Sequence, residues 1–352
     1  MRNRVPLLIP VVLLCAGSLR AQQTTTPRRS TLPTRRAAQP PQKARLAPQF
    51  VPGQVFRYQM DFRTTTESRR TGVVEDPQAA AQLEISWGGI IRVDVLSVES
   101  APAPSGRGNG TAGIPSRARL RTTYEKVDAT AHSDAYDPEA AAIAEQYRKL
   151  EGRAITFTLG ADGKVSTIEG LDEIVADPRA AEAARDWLSQ LAVGASAPQG
   201  GIMPGQKWSS ELPATGAPVA GLFWRTDSTY LRNERCRTLE NPAAFASLPS
   251  AESCAVILTR FEIVQPRPLR DPTPEEYRRR GLRTAGKWRG SGETLSYVSL
   301  RSGWVVSVTQ SGTEEMDVTI SLANGASSVR YAGRVRSQSQ ITLLPESSAP
   351  GQ

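Results

Sequence analysis

The stretch "TLGADGKVSTIE", Thr158 to Glu169, has the outline of a calcium loop. Such a loop needs oxygen ligands at its first, third and fifth positions, a glycine at the sixth and a bidentate glutamate at the twelfth. Asp162, Gly163 and Glu169 fit the fifth, sixth and twelfth positions, and Val165 fits the apolar eighth. Thr158 and Gly160 fail the first and third. The flanks fail as well. "AITFT" before and "KVSTI" after alternate like strands, where a calcium loop of this kind needs helices. Two alternating runs around a Gly-Ala-Asp-Gly core predict a β-hairpin and no metal site.

Other arrangements with chemical potential are equally incomplete. His132, in "DATAHSDAYD", is the only histidine, so any histidine-dependent triad would have to use it. No G-x-S-x-G elbow exists to partner it. A surface or strand-end histidine is the expectation. "GNGTAG", Gly108 to Gly113, satisfies a dinucleotide fingerprint in letters only, because "APAPSGR" precedes it where a strand is required. "GLRTAGKW", Gly281 to Trp288, has phosphate-loop spacing but places Trp288 where a magnesium-binding hydroxyl is needed. Glu275/Glu276 and Glu314/Glu315 are sequence neighbours, which point apart on a strand. No catalytic residue, metal ligand or cofactor is assigned, and ligand-binding residues have no sequence signature.

The chain opens "MRNRVPLLIPVVLLCAGSLRAQQ", with Arg2 and Arg4 before an apolar run and small residues near Ala21. This predicts a secretory signal peptide over 1–21, too short for a membrane span. Leu14 precedes Cys15 where a lipobox needs a small residue, which argues against lipid anchoring. Residues 22–49 are rich in Pro, Thr, Gln and Arg, hold no acid, and read as a disordered linker. The net charge of +8 arises in the leader and this linker together. Nine of the 43 bases and none of the 35 acids precede Phe50, so the remainder carries a net charge of −1. A nucleic-acid partner would need a basic face on the folded part, and that balance gives no hint of one.

Beyond the leader only Cys236 and Cys254 remain. An even count in an exported chain predicts a disulfide, worth ~3 kcal/mol for a loop of this length. The positioning elements are mostly strands. "FRYQMDFRTTT", "QLEISWGGIIRVDVLSVES", "SCAVILTRFEIVQ" and "VRYAGRVRSQSQITLL" all alternate, as antiparallel strands with one wet face do. Helices are expected over "DPEAAAIAEQYRKLEG" and "DPRAAEAARDWLSQLAVG", each opened by Asp-Pro and closed by Gly, with a short third through "TPEEYRRRG". The aromatics of the strand-like runs, among them Phe56, Tyr58, Trp87, Trp224 and Trp304, are expected in a core.

A short duplication is visible. "VPGQVF" at Val51 matches "MPGQKW" at Met203, and "TLGADGKVSTI" resembles "SLRSGWVVSV" in the same order. The expected fold is therefore mainly β (α+β), with curved antiparallel sheets in two related half-barrel-like halves, 50–196 and 197–346, two or three covering helices, and a tail over 347–352. Through these paired strand starts, the hairpin and the Ala-rich helix after it, the chain resembles uncharacterised exported bacterial all-β proteins. It is similar to lipoprotein-carrier-like half-barrels, whose curved sheet wraps helices. The resemblance implies a non-catalytic periplasmic or extracellular envelope protein that binds lipid or another hydrophobic ligand. Two alternatives stay open: a structural or interaction module of the envelope, and a hydrolase without a recognised motif.

Overall fold

The computed structural model of the chain describes residues 43–72, 80–100, 115–134, 138–171, 188–189, 191–192, 197–198, 200–214, 217–236 and 252–345. The leader, most of the linker, "GNGTAG", most of the second expected helix and the tail lie outside the described residues.

Five strands come first: β1 (Val55–Gly72), β2 (Ala80–Ser100), β3 (Pro115–Ser133), β4 (Ala154–Gly160) and β5 (Val165–Glu169). Helix α1 (Pro138–Arg148) stands between β3 and β4. Six strands follow: β6 (Lys207–Pro213), β7 (Phe223–Arg235), β8 (Ser253–Val264), β9 (Leu282–Ser299), β10 (Val305–Leu322) and β11 (Ser328–Leu343). Helix α2 (Glu275–Arg278) stands between β8 and β9. All eleven strands form one antiparallel sheet, in the order β5-β4-β3-β2-β1-β11-β10-β9-β8-β7-β6. The sequence pattern predicts sheets in the plural. Instead the first and last strands, β1 and β11, pair from Tyr58↔Leu343 to Gly72↔Val329 and join everything into one open sheet.

The alternation read from the sequence sets the faces. On β1, Phe56, Tyr58 and Met60 are buried, and the residues between them are more exposed. The main core collects these with Trp87, Ile91 and Val93 of β2, Leu120 of β3 and Phe157 of β4. Tyr147 and Leu150 pack against it from α1 and just beyond, and Leu188 and Leu191 complete it. Tyr58 lies deep enough that burial pushes its phenol pKa up, and its hydroxyl donates to the Val305 carbonyl at 3.1 Å.

Lys43 to Gln49, expected as the end of a disordered linker, is a packed strap. Ala44 bridges Ile202 through two backbone hydrogen bonds, and Leu46 is buried among Tyr230, Ile257 and Val298. Phe50 then enters the main core. Between them the strap crosses the β9–β10 hairpin. Gln49 donates its backbone N–H to Ser302, and Trp304 Nε1 donates to the Gln49 carbonyl at 3.1 Å. Gly303 has φ +70°, and a Cβ there would stand 2.1 Å from the Ala47 carbonyl oxygen, so only glycine lets strap and hairpin touch. The two apolar residues that hold the strap are too isolated to register as a periodic pattern.

The Cys236–Cys254 disulfide is present, with a Cα separation of 4.9 Å. Cys254 is the second residue of β8, and Cys236 follows the last residue of β7. The hairpin expectation for Thr158 to Glu169 also holds. Gly163 donates to the Gly160 carbonyl at φ +78°, Asp162 Oδ1 accepts the Lys164 N–H, and Glu169 pairs with Arg119 at 2.7 Å. "GLRTAGKW" runs into β9 as strand, so its backbone faces sheet partners and forms no phosphate cradle.

Candidate ligand groove

Where β1 meets β11 the outer side of the sheet holds a groove of about 550 Å³. Its floor is the backbone around five residues in register: Ala129, Trp87, Phe62, Ser339 and Gln310. The Phe62, Trp87 and Ala129 side chains belong to the core, so by alternation their chain neighbours point to the opposite face. Those neighbours form two walls. One runs Asp128, Gly88, Asp61, Gln340, Thr309 across β3, β2, β1, β11 and β10. The other runs Thr130, Ser86, Arg63, Gln338, Ser311 across the same strands.

Each wall residue is short, amide-bearing or charged, and none is apolar apart from the gap at Gly88. That gap shapes the groove. A Cβ at Gly88 would stand 3.1 Å from Asp61 Oδ1, so the missing side chain opens the wall between the two aspartates. Arg63 is turned to Glu84 at 2.7 Å, and Asp61 accepts a hydrogen bond from Gln59 at 3.1 Å. Thr309 Oγ1 is shielded from water and has no hydrogen-bond partner among the described residues. Such an orphaned group costs free energy until something bonds to it.

Asp61 and Asp128 are both exposed. His132 is exposed on β3 opposite Glu84, on the same face but beyond the groove wall. The sequence neighbours Glu314 and Glu315 do point apart. Glu315 pairs with Arg334 at 2.5 Å, and Glu314 turns to the other face.

Glu314 sits in a second unusual environment. It accepts a hydrogen bond from Trp288 Nε1 at 3.2 Å. It also shares the space over Gly290 with the Trp224 ring, since a Cβ at Gly290 would lie 3.1 Å from both. Burial pushes its pKa up from 4.5 to about 7, against the opposing effect of the Trp288 hydrogen bond. The folded chain thus holds this proton more tightly than the unfolded one. Its contribution is fully favourable below about pH 4.5 and is lost as pH rises through about 7. Glu314→Gln should therefore melt like the parent at pH 4 and be more stable at pH 8, by on the order of 1 kcal/mol for a half-buried group. Melting curves at both pH values check this, and an equal difference at the two would contradict it.

The sequence did not single out the groove residues, because serines, threonines and glutamines on a wet strand face look the same with or without a groove beneath them. The signal that was present is Gly88-Gly89 inside an otherwise β-branched and aromatic strand.

No family model matches the chain. No curated protein matches it either. Among solved structures, Pseudomonas aeruginosa OccK7 (OpdD) is aligned over 83% of this chain and 100% of its own, at 8% identity and a TM-score of 0.18. A score of that size carries no argument about fold or function.

Proposed function

We propose that this chain is an exported, non-catalytic binding protein of the cell envelope, and that the groove across the β1–β11 seam is where its ligand lies. The observation that carries the reading is the groove itself: a trough of about 550 Å³ walled by polar side chains, with a glycine gap in one wall, set over the main core. Export rests on the leader-like start and is supported by the disulfide, which suits an oxidising compartment. The lining favours a hydrophilic ligand over the acyl chain that the carrier resemblance implies. An envelope-interaction module remains the second reading, supported by the basic Pro-rich segment ahead of the strap.

Two related halves are part of the same proposal. The pattern of three strands, a helix and two strands occurs twice, as β1–β5 with α1 and as β6–β10 with α2. The Pro-Gly turns that open each set make matching bonds. Gly53 donates to Val95, which donates back to Gln54; Gly205 donates to Tyr230, which donates back to Gln206. Each acceptor residue adjoins a register shift in its strand, at Val95/Ser97 and Tyr230/Arg232. On this reading β11 is the addition that closes the second half onto the first.

The test is native mass spectrometry of the protein recovered from its own envelope, beside Gly88→Leu recovered the same way. A Cβ at Gly88 meets only Asp61 Oδ1, at 3.1 Å, and the Met60 carbonyl, at 3.8 Å, and the rest of a leucine would extend into the groove, so the variant should fold. Extra mass on the parent and none on the variant is expected. Equal bound mass on both would remove the groove from the account.

A further inference from the structure

Building on the binding reading, we propose that the groove takes an extended, uncharged oligosaccharide laid across the strands. Three features of the lining lead to this ligand class. The first is contrast with the surrounding face. On that face, outside the groove, Arg336 pairs with Glu67, Arg334 with Glu315 and Arg330 with Asp317. Within the groove this lattice of ion pairs gives way to neutral hydroxyls and carboxamides, from Ser86, Thr130, Thr309, Ser311, Gln338 and Gln340.

The second feature is the kind of hydrogen bonding on offer. Hydroxyls and carboxamides both donate and accept, as a sugar's hydroxyls do. The two walls repeat from strand to strand at a spacing of about 4.8 Å, and a chain of pyranose rings repeats on a similar length. An acyl chain would displace water from these hydroxyls and carboxamides without replacing its hydrogen bonds.

The third feature is charge. Asp61 and Asp128 flank the Gly88 gap, and the nearest base, Arg63, is engaged by Glu84. The groove therefore repels polyanions, so phosphate-rich polymers and uronic-acid glycans are excluded by the same residues that would bond a neutral sugar.

The test uses the whole chain without its leader, in isothermal titration with three probes: cellohexaose, chitohexaose and hexagalacturonic acid. One of the two neutral hexasaccharides should bind, and the acidic one should not. The double variant Gln338→Ala/Gln340→Ala should bind roughly tenfold more weakly, as expected for losing hydrogen bonds to a solvated ligand. Gly88→Leu, shown by its melting curve to be folded, should abolish binding. Binding unchanged in Gly88→Leu, or equal binding of hexagalacturonic acid, would overturn the proposal. Failure of both neutral probes, with envelope-derived mass still lost in Gly88→Leu, would overturn the sugar and leave the binding reading standing. Failure of both probes with no envelope-derived mass at all would overturn both.

Discussion

Trp304→Ala should lower the melting temperature by on the order of 10 °C while leaving a single transition. Removing a fully buried tryptophan costs about 3 to 5 kcal/mol, and a folded unit of this size loses roughly 2 to 4 °C per kcal/mol. Trp304 is 1% exposed and ties β1 to the strap. Its ring stands 4.6 Å from Phe56 of β1 and 5.8 Å, edge-on, from Phe50 of the strap. Its Nε1–H is the donor that fixes Gln49. Truncation leaves a cavity in the main core and an unpaired carbonyl beside it. The residue belongs to the second half of the chain and the cavity opens in the first, so both halves should melt together at the lower temperature. Circular dichroism and calorimetry should give the same midpoint. Two separated transitions would show that the halves fold independently.

Residues 202–352 expressed alone should not fold cooperatively. The fragment keeps β6 to β11 but loses β1, so the edge of β11 from Val329 to Leu343 is left unpaired while its other edge keeps β10. Long exposed edges of that kind recruit other chains. The fragment also loses Leu46, which packs on Tyr230 and Ile257, and Phe50, which packs on Trp304. Trp304, Val305 and Val308 would then face water, because their cluster is built mainly from β1 to β4. Aggregation, or a broad melt without a baseline, is the expected result. A soluble fragment with a sharp transition near that of the whole chain would contradict a single cooperative unit.

Local features were legible before the structure. The Pro-Gly turns at Pro52-Gly53 and Pro204-Gly205, the Gly163 hairpin, the α1 stop at Gly152 and the cysteine pair all follow from residue chemistry within a few positions. Long-range features were not. Nothing in "FRYQMDFRTTT" or "VRYAGRVRSQSQITLL" says that they are partners, because strand pairing across the length of the chain leaves no mark in either segment. The strap was hidden for a related reason. Leu46 and Phe50 are single apolar residues in a Pro- and Ala-rich setting, and only the partners they meet make them core. Glu314 reads as half of an ordinary acidic pair until Gly290 is seen to make room for it under Trp224. The groove walls are the solvent side of five good strands, and their arrangement exists only once β1 and β11 are joined.

The most direct measurement is hydrogen exchange on the protein as isolated from its envelope, compared with the same protein unfolded, stripped of bound material and refolded. If the seam groove holds the ligand, peptides spanning Asp61–Arg63, Ser86–Gly88 and Gln338–Gln340 should exchange more slowly before stripping, with the β4–β5 hairpin unchanged. Protection confined to other strands, or identical exchange in the two samples, would contradict the account.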